Sequence, residues 1–211
     1  MKPNYIDLTF ITDRSGSMIT IKSDAEGGFN AFIADQKKLT DKNILVNHYL
    51  FDDRYEVLYE NKPINEVQQF ELFPGGCTAL YDAIGKTLNA RGAYFASLDE
   101  SERPEKVAVI IITDGYENNS KEFTQEQIRK MITHQREVYN WEFIFLAANQ
   151  DAITTGTNLG ISSDSSMSFD NNAAGVKNVY TSLSRNFSSY ASAACCDHIV
   201  FTSEDRQLCA K

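Results

Sequence analysis

Phe10-Ile11-Thr12-Asp13-Arg14-Ser15-Gly16-Ser17-Met18 passes abruptly from an apolar segment to a polar one. Oxygen-bearing side chains stand at every second position, as Asp13, Ser15 and Ser17. In a loop that leaves the end of a strand, this spacing can wrap three oxygens around one point, and Gly16 permits a tight turn there. One carboxylate and two hydroxyls suit a hard divalent cation such as Mg²⁺. The same residues would also suit a serine-rich turn that caps the next helix, so the rest of the chain must decide.

Along the rest of the chain, segments with the apolar pattern of strands alternate with segments whose apolar residues recur every three or four positions, as in helices. Tyr5 to Thr12 reads as a strand, and Asp7 inside it should need a buried partner, for which a hydrogen bond from a neighbouring loop is the favoured prediction. The unbroken apolar run Val107 to Ile112 is typical of a strand buried on both faces of a parallel sheet. Further strands are predicted at residues 44–51, 54–59, 141–147 and 165–169, with 199–201 as a short strand or a segment docked on the sheet edge.

Helices are predicted between these strands. Their spacing of apolar residues places them at 24–39 with Asp24 as N-cap, from Cys77 to Leu98, from Thr124 past Val138, and at 172–194. Thr124-Gln125-Glu126-Gln127 matches a capping box. Strands alternating with helices predict an α/β fold with a doubly wound, mostly parallel central sheet flanked by helices. The short Asp52-Asp53 connection adds one antiparallel edge strand.

Three polar loops follow strand ends or open helices in this scheme. The first carries Asp13, Ser15 and Ser17; the second is Gly75-Gly76-Cys77-Thr78, and the third is Thr113-Asp114-Gly115. Ligands of doubly wound sheets bind at the carboxyl ends of the strands. We therefore expect the three loops to meet at one site.

This combination resembles the metal-ion-dependent adhesion site (MIDAS) of von Willebrand factor type A domains, which has Asp-x-Ser-x-Ser, a threonine in a Gly-Gly-x-Thr turn and an aspartate in a Thr-Asp-Gly turn. The resemblance spans Tyr5 to about Tyr190 and is nearest to the small bacterial and phage-type members. It implies a Rossmann-like fold and a metal, Mg²⁺ with Mn²⁺ or Ca²⁺ as possible substitutes. The residues that it implies as metal ligands, directly or through water, are Asp13, Ser15, Ser17, Thr78 and Asp114.

The resemblance also implies what such a site does. Neutral hydroxyls leave a cation incompletely neutralised, so it attracts an external anion, which in the family is often a Glu or Asp carboxylate of a partner protein. The expected function is therefore a non-catalytic protein-binding module in a multi-component bacterial or phage system. Two alternatives stay open: a metal-dependent hydrolase or phosphatase, and a structural or oligomerising subunit whose metal only ties loops together. The oligomeric state is not predicted.

Composition and charge limit the other functions. The 211 residues are 42% hydrophobic, which suits one α/β domain, predicted at 1–194 with a C-terminal extension at 195–211 that packs on the domain or trails from it. A net charge of −9 disfavours nucleic acid as a partner. The absence of a signal peptide and of an 18-residue apolar run predicts no membrane partner and a cytoplasmic location with free thiols.

Several competing motifs are weaker. Ile84-Gly85-Lys86-Thr87 imitates the end of a P-loop but falls inside a predicted helix. None of the three histidines belongs to a motif with a serine that a base could activate. Asp52 and Asp151 follow strands near the site, where ordinary loop carboxylates are the favoured interpretation. Cys195-Cys196 with Cys209 lacks the spacing of a zinc site, and packing as small apolar residues is favoured.

Overall fold

The computed structural model describes residues 1–148, 150–193 and 198–209. Six strands form one sheet in the order β3-β2-β1-β4-β5-β6. All neighbouring pairs are parallel except β2 and β3, which form an antiparallel hairpin at the edge. The predicted fold class is therefore confirmed. The strands are β1 Lys2–Asp13, β2 Asn43–Phe51, β3 Tyr55–Pro63, β4 Pro104–Thr113, β5 Glu142–Ala148 and β6 Ser166–Phe169.

Among the described residues, six α-helices cover the two faces of the sheet. They are α1 Lys22–Gln36, α2 Leu80–Ser97, α3 Gln125–Tyr139, α4 Ala152–Asn158, α5 Ala173–Ser192 and α6 Ser203–Cys209. Side chains of α1, α5 and α6 join one buried apolar cluster with Leu8 and Phe10 of β1. Side chains of α2, α3 and α4 join a second cluster with Ile11 of the same strand. Alternate side chains of β1 therefore point to opposite faces of the sheet and belong to two separate cores, as a doubly wound sheet requires.

The predicted boundaries of α1 and α2 need correction. A 3₁₀ turn, Gly16–Ile21, leads directly into α1, so Ile21 rather than Asp24 is the N-cap, and α1 ends at Gln36 rather than Leu39. Helix α2 begins at Leu80, three residues after Cys77. Val138 lies within α3 as predicted, in the last turn of that helix, and is 55% exposed. The capping box of Thr124 and Gln127 is confirmed.

The end of the described chain packs on the sheet edge beside β6. Residues 199–201 form no strand; instead Phe201 donates its N–H to the Asp164 carbonyl at 2.8 Å, and Ile199 and Phe201 are buried. The helix that follows, α6, was not predicted from the sequence, and Asp170 donates its N–H to the Cys209 carbonyl at its end. The division at residue 194 stays a prediction, and the Cys195–Cys196 pair lies outside the described residues.

Candidate metal centre

The three polar loops meet at the carboxyl ends of β1 and β4. Backbone hydrogen bonds join the first two loops, from the Gly16 N–H to the Gly76 carbonyl at 3.1 Å and from the Gly75 N–H to the Arg14 carbonyl at 2.8 Å. Gly76 has a φ of +76°, and a Cβ there would stand 2.3 Å from Asp53 Oδ1. Glycine is therefore required at this turn, both for its backbone conformation and for its lack of a side chain.

Four of the five predicted ligands are linked by hydrogen bonds. Ser17 Oγ donates to Asp114 Oδ1 at 2.6 Å and lies 3.1 Å from Ser15 Oγ. The Ser15 N–H donates to Asp13 Oδ1 at 2.6 Å. Asp13, Ser15 and Asp114 are buried, whereas Ser17 is exposed. The donors therefore form a compact group whose open side is at Ser17.

Thr78, the fifth predicted ligand, lies on the other side of this group. A Cβ built on Gly115 would stand 3.5 Å from both Thr78 Oγ1 and Ser17 Oγ, with no heavy atom nearer to it outside the adjoining residues. The space above Gly115 is thus bordered by two hydroxyls from different loops. Two carboxylates and three hydroxyls around a gap without a side chain fit a hard divalent cation, which takes oxygen ligands and keeps several waters.

Neighbouring residues hold the ligands in place. Thr113 Oγ1 at the end of β4 donates to Asp13 Oδ2 at 2.6 Å, so β4 and the loop after β1 each hold one oxygen of this carboxylate. The Thr78 N–H donates to Asn118 Oδ1 at 3.0 Å, and Glu117 Oε2 accepts the Tyr81 N–H at the start of α2. Gln150 Nε2 donates to the Gly115 carbonyl at 2.8 Å. The loop after Asp114 is therefore tied to the threonine loop on one side and to the loop after β5 on the other.

Burial has a marked electrostatic effect on the two acids. It raises the pKa of Asp13 to about 6, with hydrogen bonds from Thr113 and Ser15 opposing the rise and the charge of Asp114 adding to it. Burial also raises the pKa of Asp114, against the hydrogen bond from Ser17. A cation beside both carboxylates would favour their charged forms. The donor set is therefore one that a bound cation would complement.

The other acids flagged from the sequence have structural roles. Asp52 Oδ2 lies 3.0 Å from Arg14 Nε and 3.0 Å from Arg54 Nη2. Burial alone would raise the pKa of Asp52, but hydrogen bonds from Arg54 and the charge of Arg14 outweigh burial and hold it below its usual range. Asp151 is the N-cap of α4 and accepts the N–H groups of Ile153 and Thr154. These contacts agree with the interpretation of Asp52 and of Asp151 as ordinary loop carboxylates.

The histidines and Cys209 lie in other segments than the candidate ligands, whereas the exposed Cys77 directly precedes Thr78. His48 is buried in β2, where its Nε2 lies 2.9 Å from Thr12 Oγ1, and burial lowers its pKa to about 3. His134 is exposed on α3. Within the described residues no group of three or more His, Cys, Asp or Glu side chains could hold a metal, so Cys209, which is buried, lies in no such group. The hydroxyls of Ser15 and Ser17 face each other and Asp114 rather than an imidazole.

Sequence reasoning missed the residues that support the ligands. Thr113 was read only as part of the Thr-Asp-Gly turn, and Glu117 and Gln150 were given no role. Glu117 accepts the N–H of Tyr81, 36 positions away, and Gln150 donates to the carbonyl of Gly115, 35 positions away. A pattern among neighbouring residues therefore predicts neither contact. Only Thr113 had a local signal, because it precedes Asp114 at the end of a buried strand.

Neither a protein-family model nor a curated protein matches this chain. Among solved structures, proximal thread matrix protein 1 from the mussel byssus superposes with a TM-score of 0.59 at 16% identity, over 86% of this chain and 45% of that one. Another structure of that matrix protein has a zinc-occupied MIDAS motif. The ArnB paralog VWA2 from Sulfolobus acidocaldarius has a TM-score of 0.52 at 19% identity, over 86% and 44% of the two chains.

A shorter structure matches over nearly its whole length. The vWF domain of the type V pili tip protein Mfa5 from Porphyromonas gingivalis has a TM-score of 0.62 at 9% identity, over 91% of this chain and 98% of that one. By contrast, this chain spans less than half the length of the matrix protein and of VWA2. At these identities the similarity establishes the fold alone. The strand order, the antiparallel edge and these superpositions together show that the chain has the von Willebrand factor type A fold.

Proposed function

We propose that this protein is a non-catalytic, metal-dependent protein-binding module. Asp13, Ser15, Ser17, Thr78 and Asp114 would hold a divalent cation, with Mg²⁺ the expected ion and Mn²⁺ or Ca²⁺ as substitutes. The observation that carries the proposal is the Ser17 hydroxyl, which lies 3.1 Å from Ser15 Oγ and 2.6 Å from Asp114 Oδ1 and so joins two loops that are 97 residues apart. The zinc-occupied MIDAS motif of the mussel matrix protein, on the same fold, supports it.

The cation would supply a positive charge that can accept one more oxygen ligand from outside the chain. Neutral hydroxyls leave that charge incompletely compensated, so a partner's Glu or Asp carboxylate is the expected ligand. The exposed position of Ser17 leaves this side of the site open to a partner. The chain's own residues hold and orient the group; no side chain is required to act on a bond.

The surface around the centre supports a protein as the partner. Apart from Met1, the three most exposed large apolar residues in the described part of the chain are Phe73, Tyr116 and Ile19, at 70%, 63% and 62%. Ile19 follows Ser17 by two residues, Tyr116 follows Asp114 by two, and Phe73 immediately precedes the Pro74-Gly75-Gly76 turn. Exposed apolar side chains beside a polar site are typical of protein interfaces. We infer that they contact the partner around its carboxylate.

The location and the assembly belong to the same proposal. Across the described residues no helix is long and apolar enough to cross a membrane. The cytoplasmic location and the place in a bacterial or phage system remain predictions from the sequence. A single domain with one such site would act as one subunit of a larger system.

The test has a metal-binding part and a partner part. Calorimetric titration with Mg²⁺ and Mn²⁺ should give saturable binding to the wild type and none to Ser15→Ala/Ser17→Ala. Ser97→Ala is the matched control, because Ser97 lies at the far end of α2 and donates only to the Tyr94 carbonyl. Proteins captured from the native host should be retained by the wild type and by Ser97→Ala in Mg²⁺, and lost in EDTA or with the double variant.

Each other outcome favours a different function. Metal binding without a metal-dependent partner would indicate a structural metal. Turnover of p-nitrophenyl phosphate that disappears in Asp13→Asn would indicate the hydrolase alternative. A protein that binds equally in Mg²⁺ and in EDTA would contradict the proposal.

A further inference from the structure

A second candidate binding site lies at the amino ends of the strands, opposite the carboxyl ends that carry the metal centre. A cavity of about 390 Å³ opens between α2 and α3, beside the amino ends of β4 and β5. This volume lies within the range of about 300–1,000 Å³ that small-molecule sites in proteins occupy. Neither the metal centre nor its supporting loops contribute to the cavity.

The floor of the cavity is aromatic and apolar. Trp141 and Phe95 are 5% and 7% exposed, and their rings meet edge to face with centroids 5.6 Å apart. Val107 of β4 also lines the cavity. At its mouth, His134 and Tyr139 form another edge-to-face pair, with centroids 5.6 Å apart. Such walls favour a planar ring, because aromatic side chains gain from offset or edge contacts with another ring.

Gly92 of α2 keeps the cavity open. A Cβ at this position would have only Gln135 Nε2 within reach, at 4.0 Å. The helix therefore tolerates a side chain here, yet none fills the space between α2 and α3. A larger residue at position 92 would enter the cavity without a clash at its Cβ.

Arg103 brings a positive charge to the same cavity. Its Nε donates to the Leu98 carbonyl at 3.3 Å, which fixes the guanidinium at the cavity wall. In the described part of the chain no carboxylate forms an ion pair with Arg103. Glu105 also lines the cavity, and its Oε2 accepts the Asn4 N–H at 2.7 Å. A guanidinium binds a carboxylate with two parallel hydrogen bonds, so an anionic group is the expected polar part of a ligand.

We propose that this cavity binds a small planar aromatic acid. The ring lies against Trp141 and Phe95, and the carboxylate pairs with Arg103. The site is independent of the metal centre and of the partner function proposed above.

The lone tryptophan of the chain gives a direct measurement. Its indole N–H produces a single cross-peak in a ¹H–¹⁵N correlation spectrum, so a shift of that peak reports on the surroundings of a ring that lines the cavity. The titration uses 2-naphthoate in EDTA, and 2-naphthamide as the uncharged control. We expect a saturable shift with 2-naphthoate, and an affinity about tenfold higher than that of the amide, because a charge-assisted pair is lost in the amide.

Two variants and one control test the geometry. Gly92→Leu should abolish the shift, since its side chain occupies the cavity, and a leucine in a helix should not harm folding. Gly27→Leu on α1, where a Cβ meets nothing within 4 Å, should bind as the wild type does. Arg103→Gln should lower the affinity for 2-naphthoate about tenfold and leave that for the amide unchanged.

Three results would overturn the proposal. The first is the absence of a saturable indole shift in a wild type whose amide spectrum is that of a folded protein. The second is equal affinity for the acid and the amide. The third is a concentration-dependent indole shift without any probe that Gly92→Leu removes, because the cavity would then be a contact between two copies of the chain.

Discussion

Strand β1 carries two fully buried aspartates, and their surroundings differ in one respect. Asp7 meets a cation of the chain itself, Arg91 Nη2 of α2 at 2.5 Å, and also accepts from Asn47 and Thr9. Asp13, six residues later, accepts from the Thr113 hydroxyl and the Ser15 N–H, and no basic side chain of the described residues bonds to it. Both are 0% exposed, so burial alone does not distinguish them.

The difference separates a structural acid from one that we propose to be a metal ligand. A buried charge is tolerated when it is paired and hydrogen-bonded, which is the condition of Asp7. Asp13 has the hydrogen bonds without the pairing. Burial raises the pKa of both acids, but at Asp7 the Arg91 charge opposes the rise together with hydrogen bonds, whereas at Asp13, whose pKa rises to about 6, only hydrogen bonds oppose it. The cation that Asp13 lacks within the chain is the one that we propose comes from solution. Each prediction below tests one side of this contrast.

The largest expected effect is on the structural side. Arg91→Met would leave Asp7 buried without its cation, and we expect the free energy of unfolding to fall by about 3–5 kcal/mol. The measurement is urea denaturation in EDTA, so that metal binding does not contribute. The affinity for Mn²⁺, measured where the variant is folded, should stay within about threefold of the wild type because the pair lies far along β1 from the metal centre.

The companion variant decides whether charge is the cause. Asp7→Asn/Arg91→Met removes both charges and keeps an oxygen that can accept from Asn47 and Thr9. It should regain about half or more of the lost stability. Equal stability of the single and double variants would show that Arg91 acts by packing, for instance against Tyr94, whose ring centroid lies 4.5 Å from the guanidinium carbon.

The variant Asp13→Asn should have the opposite effects: it should weaken metal binding and leave stability in EDTA intact. The affinity for Mn²⁺ or Mg²⁺ should fall more than about 100-fold, because a carboxylate ligand becomes a neutral amide. Stability in EDTA should stay the same or rise slightly, since a buried acid without a cation is replaced by a neutral group of the same shape. Calorimetric metal titration and thermal unfolding in EDTA measure the two effects. Strong destabilisation in EDTA would place Asp13 with Asp7 among the structural acids.

His48 shows a third way to bury a titratable group, namely without charge. Burial lowers its pKa from 6.5 to about 3, so below pH 6.5 the unfolded chain binds a proton that the folded chain does not. Its contribution to stability is therefore complete above pH 6.5 and is lost as the pH falls toward 3. Relative to His48→Gln, the wild type should lose about 2 kcal/mol between pH 7 and pH 5. Urea denaturation of both proteins at several pH values gives the difference, and parallel pH profiles would contradict a neutral buried imidazole.

The sheet, the polar loops and the partner of Asp7 show what the sequence could and could not predict. The sheet, its antiparallel edge and the meeting of the three loops followed from strand periodicity and loop composition, which are local properties. Asp7 was predicted to need a partner, but a neighbouring loop was favoured for it. The true partner is Arg91 of α2. Nothing within a few residues of Asp7 indicates a contact 84 positions away.

Errors at element ends have a similar cause. Asp24 has the composition of an N-cap, yet the 3₁₀ turn that follows Ser15 already starts the helical path, so α1 begins two residues earlier. Helix α6 was missed because its seven residues are too few for an apolar period to show. Arg185 pairs with the buried Asp205 of this helix, and that contact again joins distant positions. Local pattern thus predicted the elements, and tertiary contacts fixed their ends and partners.

The smallest expected effect concerns Thr78, whose hydroxyl borders the space above Gly115. Thr78→Ser keeps an oxygen at this position, and the affinity for Mn²⁺ should stay within about threefold of the wild type. Thr78→Val has nearly the same shape without the hydroxyl, and the affinity should fall about tenfold, because a buried hydrophobic methyl replaces an oxygen ligand or a ligand to a bound water. Both variants keep the Thr78 N–H bonded to Asn118, so the loop should retain its position. Calorimetric titration of the pair isolates one oxygen atom. If serine and valine bind the metal equally well, the Thr78 hydroxyl is not part of the site, and the ligands reduce to the loops that follow β1 and β4.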